Sequence, residues 1–255
     1  AVMRTKAMSG ISLLGLQDFP GQGTALVGML DSHLEPKPFD FAKPEKFRAF
    51  FKEQLVLVGL EKYTYEEGET LCADVQIANY GKTDCAGDLE WTLWAYMPNE
   101  ELDSVRKVAV KSGHMSAVSC PKGTLSKAGT LKIELNNKIT APVRCDLTVK
   151  IADAVNSYPI WIYKNEMPKC VYETTKLDLQ AKKVLDNGGV VYYSPKSEES
   201  SFHNSIRAQF STDFWSVGTF GRQEGAMGQL IQKDHPVFKE FPTESHTNWQ
   251  WWPMA

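Results

Sequence analysis

The chain has 255 residues, 42% of them apolar and 11% aromatic, which is enough for ordinary packed cores and argues against global disorder. Its net charge of −3 leaves no basic footprint for nucleic acid and no Lys/Arg cluster suited to an anionic membrane. No apolar run approaches the roughly 18–20 residues of a transmembrane helix, so neither nucleic acid nor a membrane is an expected partner.

The opening AVMRTKAMSG has no long apolar h-region and does not read as a signal peptide. Position 1 is not Met, and the expectation is a fragment or a processed form. Residues 1–52 read as α/β material. Ile11–Gln17 is nearly continuous apolar, as expected of a strand covered on both faces in a parallel sheet. Thr24 is a plausible N-cap for a helix over ALVGMLDSHL, and Pro44 suits the first turn of another over PEKFRAFFKEQ. Phe47, Phe50 and Phe51 fall at i, i+3 and i+4, an apolar stripe that must pack on something.

Residues 53–163 change period. In TLCADVQIANYG, Leu71, Ala73, Val75 and Ile77 alternate with more polar neighbours before a turn at Asn79–Gly81. DLEWTLWAY puts Leu89, Trp91 and Leu93 on one face, and VRKVAVKSG, GTLKIELNN, CDLTVKIAD and SYPIWIYKN come after it between turn residues. Roughly seven short strands at this spacing predict an antiparallel β-sandwich of immunoglobulin-like type. Residues 164–255 shift again. KLDLQAKKVLDN reads as a helix, Asn187–Gly189 ends it, and VVYYSP reads as a strand, together half of a βαβ unit.

Five cysteines (Cys72, Cys85, Cys120, Cys145, Cys170) show no CxxC or other metal-like spacing. Free buried thiols are expected; one disulfide involving Cys72 or Cys85 is the alternative for an exported protein. The histidines (His33, His114, His203, His235, His246) are scattered without an HExxH, and His235-Pro236 reads as a turn or a helix start. No metal is expected. A GxSxG nucleophile elbow is also absent.

The glycine-rich loop of LGLQDFPGQGTALVGMLD fails as a nucleotide site. Leu26 stands where the third glycine of GxGxxG belongs, and Met29 and Leu30 replace the Lys and Ser/Thr of a phosphate loop. No cofactor is expected. At the rim of a barrel strand, Gln17, Asp18 and Gln22 would form an acceptor-rich cluster suited to sugar hydroxyls. The alternative is structural: Asp18 caps the next helix and Gln22 bonds within a tight turn. In the C-terminal NWQWW, Trp249 and Trp251 would share one face of an extended segment, either as a sugar-stacking platform or as core closure.

MSGISLLGLQDFPGQGTALVGMLD resembles the last strand and loop of the catalytic barrel in family 2-type, β-galactosidase-like glycoside hydrolases of Bacteroidetes. STDFW and HPVFKEFPTESHTNWQWW resemble the C-terminal part of the same proteins. The resemblance implies an α+β multidomain chain. Residues 1–52 would be the end of a (β/α)8 barrel, 53–163 an immunoglobulin-like sandwich, and 164–255 a partial α/β domain of glutamine amidotransferase type with a Trp-rich tail. It implies a parent acting on β-linked glycosides, periplasmic or secreted, whose two catalytic carboxylates lie on upstream barrel strands. This chain alone would then have no catalytic residue and be inactive. Its partners would be carbohydrate, through Gln17, Asp18, Gln22, Trp249 and Trp251, and the upstream part of the same barrel. The rival reading is a non-catalytic carbohydrate-binding or scaffolding module.

Overall fold

The computed structural model describes residues 2–13, 15–19, 28–39, 42–99, 104–136, 139–166, 172–195 and 229–254. The chain forms two compact units, one of residues 1–164 with 231–250 and the other of 165–230 with 251–255.

Among the described residues, eight strands build the first unit: β1 (Gln54–Leu60), β2 (Thr64–Glu66), β3 (Thr70–Asn79), β4 (Cys85–Asn99), β5 (Ser104–Cys120), β6 (Thr124–Glu134), β7 (Val143–Ile151) and β8 (Ala154–Tyr163). They form a three-stranded sheet, β1-β3-β6, and a five-stranded sheet, β2-β8-β7-β4-β5. Every pairing is antiparallel except β2 with β8. The period-two segments bury one side each. Leu71, Ala73, Val75 and Ile77 of β3 are buried, as are Cys145, Leu147, Val149 and Ile151 of β7, and both sets join one apolar core with Leu89, Leu93 and Ile160. Burying a single such Leu or Ile contributes about 1.5–3 kcal/mol, so this core dominates the stability of the unit.

Special residues mark where the sheets need them. Asn79 is fully buried at the end of β3; its amide donates to Thr83 O and Cys120 O, and its oxygen accepts from Gly81 N–H and Gln54 Nε2. Gly113 lies directly opposite Trp91, and a Cβ there would sit 2.6 Å from the indole, so only glycine leaves room for the ring. Tyr158 Oη donates to Val56 O (3.1 Å) and accepts from Val58 N–H (3.0 Å), tying β8 to the edge strand of the other sheet.

The expected α+β chain with a barrel end is corrected: the structure is β-rich. Ile11–Gln17 is not a strand. Its described residues are mostly exposed, with Ile11 at 48% and Leu16 at 56%, and Gln17 makes only an isolated bridge to Leu30. A fully buried parallel strand needs a partner on each edge and helices on both faces, and no described segment supplies them. Gly28–Leu34, the described part of the expected helix over ALVGMLDSHL, is bends, a bridge and a turn. The second expected helix is a single short element, α1 (Pro44–Ala49), because the chain must turn into β1 by Gln54.

The second unit holds β9 (Tyr172–Thr174), α2 (Leu179–Asp186) and β10 (Val191–Tyr193), with β9 and β10 parallel. Asp178 caps α2 by accepting the Ala181 N–H at 2.8 Å, and Gly188 lies just past its end at φ +73°. Among the described residues of this unit, strands of three residues and an eight-residue helix make one short βαβ turn.

Candidate functional site

The residues singled out in the sequence occupy separate settings. Asp18 is 6% exposed, and its Oδ1 accepts from Gly28 N–H and from Lys37 Nζ, both at 2.8 Å. Gly28 packs so closely on this turn that a Cβ would lie 2.2 Å from Gln17 C. That glycine serves backbone approach, and Asp18 is a pin between two passes of the chain. Gln17 is exposed beside it. Gln22, Pro20, Gly21, Gly23 and Thr24 lie outside the described residues, as does Cys170.

Trp249 opens a 3₁₀ segment, Trp249–Met254, so the extended geometry expected for NWQWW does not hold. At three residues per turn, Trp249 aligns with Trp252 instead of Trp251. Trp249 and Trp252 are 48% and 55% exposed, while Trp251 is only partly exposed. One face of Trp249 stacks on Tyr63 at 5.1 Å and 14°. The segment leading to it straps across the sandwich. Ile231 N–H bonds Ser245 O, and Phe241 stacks on Tyr163 at 5.5 Å. Gln250, 1% exposed, donates to Tyr163 Oη and to Pro242 O. Burial holds Tyr163 protonated to about 12, against the opposing pull of the Gln250 bond. His235 accepts the Val237 N–H at 3.2 Å and opens a short 3₁₀ turn, a structural role.

Among the described residues, a cluster of polar and aromatic groups lies on the outer face of the five-stranded sheet, where alternation turns outward what the core does not use. The registers set it out in rows: Tyr96 opposite Lys107, Trp94 opposite Asp146, Thr92 opposite Thr148, and Thr148 opposite Ser157. Tyr96 Oη donates to Asp146 Oδ2 at 2.6 Å, and Lys107 Nζ reaches the same oxygen at 3.1 Å. Lys107 Nζ also lies 5.6 Å from the Trp94 ring centre, and the Arg144 guanidinium lies 5.2 Å from that of Tyr96.

Arg144 joins this face to the strap by a 2.6 Å bond to Glu244 Oε1, and Asn248 Nδ2 donates to Glu244 Oε2 at 2.9 Å. Arg144 Nε is buried without a hydrogen-bond partner among the described residues, as is Gln250 Oε1. Burial and then the Asp146 bond raise the Tyr96 phenol. For Lys107, burial favours loss of the proton, but Asp146 outweighs it and the ammonium is stabilised. Asp146 is thus held by Lys107 and the Tyr96 hydroxyl, and Glu244 by Arg144 and the Asn248 amide.

This cluster is not among the residues singled out from the sequence, although DLEWTLWAY carried its signal. If Leu89, Trp91 and Leu93 face inward, Trp94 and Tyr96 must fall on the opposite parity from Ala95, leaving two large aromatics on a face that has no core to fill. A separate apolar cavity of about 860 Å³ lies in the same unit, between the end of α1 (Ala49) with Phe50 and Phe51 just after it, the N-terminal segment (Ile11) and the strands (Leu57, Val155). Phe50 and Phe51 remain 45% and 48% exposed, so the phenylalanine stripe is only partly covered. No group of three or more potential metal ligands occurs among the described residues.

No curated protein matches the sequence. Among solved structures the chain is similar to the sporulation control protein Spo0M of Bacillus subtilis, at 16% identity over 44% of this chain and 50% of that one, with a TM-score of 0.35. It is also similar to a cycloisomaltooligosaccharide glucanotransferase of Paenibacillus sp. (12% identity, 46% and 15% covered, TM-score 0.33) and to a β-glucosidase of Listeria innocua (16% identity, 44% and 16% covered, TM-score 0.30). The matched part spans half or less of each of these proteins, and likeness at this level carries neither fold assignment nor function. Residues 69–164, from the start of β3 to the end of β8, match a domain of unknown function, DUF8488, and residues 172–255, from the start of β9, match a second domain of unknown function, DUF8487.

Proposed function

We propose that the chain is a non-catalytic β-sandwich module that binds carbohydrate on the outer face of its five-stranded sheet. The observation that carries this reading is the row Trp94, Tyr96, Lys107, Arg144 and Asp146 on the outer face of one sheet, with Lys107 exposed and the others half-buried. A pyranose has an apolar ring face and a rim of hydroxyls. The indole edge and phenol supply apolar contact, Asp146 and Glu244 accept, and Arg144 and Lys107 donate. Thr148 and Ser157, 3.2 Å apart, extend the hydroxyl-rich strip along the sheet. By the sequence resemblance, such a module would accompany a family 2-type hydrolase domain acting on β-linked glycosides. The purified chain is then expected to give no turnover of aryl-glycosides.

The test is affinity electrophoresis in a panel of soluble β-glucans, galactans, mannans and xylans, comparing the parent chain with Trp94→Ala. Retardation by at least one polysaccharide, lost in the variant at unchanged far-UV dichroism, supports the reading. Equal mobility of parent and variant in every gel contradicts it.

A further inference from the structure

Cys85 is the first residue of β4 and Cys120 the last of β5, and the antiparallel register sets them directly opposite each other. Opposed residues of an antiparallel pair project to the same face with Cβ atoms about 4.5–5.5 Å apart, close to the reach of a disulfide. Both face inward, at 2% and 0% exposure, as free thiols. The other described thiols are placed elsewhere: Cys72 is exposed on the three-stranded sheet opposite Lys132, and Cys145 sits within β7 opposite Ile160.

The position of this pair in the ladder gives it a purpose. A register shift between Gly87 and Leu89, with Ala117 at φ 57°, separates the last three rungs from the long regular part of the hairpin. Beyond Cys85 and Cys120 the neighbours Asp84, Pro121 and Lys122 are exposed. The Cys85–Cys120 rung therefore ends a short ladder segment, held beyond it by the Lys122 N–H to Asp84 Oδ1 bond (2.9 Å) and by the Asn79 amide on Cys120 O, and local fraying there need not unravel the regular part of the hairpin.

We infer that Cys85 and Cys120 form a disulfide that closes this end of the β4–β5 hairpin under oxidising conditions. The oxidant is a small disulfide such as oxidised glutathione. One protein thiolate attacks it, forming a mixed disulfide and releasing one reduced glutathione; the second protein thiolate displaces the other glutathione and forms the protein S–S bond. Two protein thiols lose two protons and two electrons, and one glutathione disulfide becomes two thiols. Burial raises the Cys85 thiol, so attack proceeds through the frayed state. Cys120 Sγ, donating to Ile77 O at 3.3 Å in the reduced form, gives up that bond as it turns to its partner.

The full chain is incubated with oxidised glutathione, its remaining thiols are alkylated in denaturant, and the digest is mapped by mass. The expected result is one Cys85–Cys120 linked peptide, with a thermal midpoint about 5–10 °C above the reduced chain. Dithiothreitol reverses both changes, and Cys85→Ser shows neither. Recovery of Cys85 and Cys120 as alkylated or only glutathionylated residues overturns the inference, as does linkage of either to Cys72, Cys145 or Cys170. The mapping uses the unaltered sequence, so it stands even if the serine variant folds poorly.

Discussion

The sandwich strands and the flanking segments contain similar apolar residues and use them in opposite ways. In β3, β4 and β7, alternate residues vanish into one core, with Leu71, Leu89, Leu93 and Leu147 at 0% exposure. In the flanks, Ile11, Leu13, Leu16, Phe39, Phe50 and Phe51 stay 45–56% exposed. An apolar run becomes structure only when partners exist to satisfy its backbone and cover its sides. Alternation finds both at once, since one face meets the core and the strand edges meet neighbours. A continuous run needs cover all round, and the segment at 11–17 does not have it.

The sharpest way to break this contrast is truncation of matched side chains. Leu147→Ala is expected to destabilise the first unit by about 2–5 kcal/mol, and Ile11→Ala by no more than about 0.5 kcal/mol, in urea denaturation. Comparable losses would mean the flank is as much a core as the sandwich.

Raising the pH probes the sandwich side of the comparison from another direction. Burial moves Cys145 from 9.0 to about 12, and Tyr65 and Tyr163 from 10.0 to about 12. The unfolded chain loses these protons from about pH 9–10 while the folded chain keeps them to about pH 12, so the unfolded state binds fewer protons in this window. Stability is therefore full below about pH 9 and falls as pH rises towards 12, with all three groups adding to the fall. Replacing Cys145 with alanine is expected to flatten the first part of that fall, read from denaturation midpoints at successive pH values.

A smaller effect sharpens the flank side. Asp18→Ala leaves Lys37 and the Gly28 N–H without this acceptor, for an expected cost of about 1–3 kcal/mol, while carbohydrate retardation stays unchanged. Loss of retardation without loss of stability would return Asp18 to the role of a sugar ligand. Trp249→Ala removes the stack on Tyr63 and is expected to cost about 1–2 kcal/mol, seen as a modest drop in the thermal midpoint.

How far the sequence reads depends on how local each cause is. The alternation in TLCADVQIAN and CDLTVKIAD, the Asn79 turn and the α2 helix with its glycine stop were legible because each depends on neighbours within a few residues. β1, with its QLVLVGL run, is not among the expected strands, although its β-branched apolar residues carry a strand signal. The role of Asp18 is half legible: a structural role, as a helix cap, is the alternative reading, but the partner it holds, Lys37, lies nineteen residues on. The outer-face cluster was least legible, since Lys107, Arg144 and Asp146 meet Tyr96 only through strand pairings of long separation. The resemblance misled the barrel reading because it matched a run of residue types without the strands and helices that would surround them.

The central claim rests on Trp94 and its row, and titration calorimetry tests it most directly. The best-retarding polysaccharide is titrated into the parent chain, Trp94→Ala and Trp249→Ala at matched folded fraction. The account predicts heat of binding for the parent and for Trp249→Ala, and none for Trp94→Ala. Binding that survives in Trp94→Ala and disappears in Trp249→Ala would move the site to the C-terminal strap and contradict it.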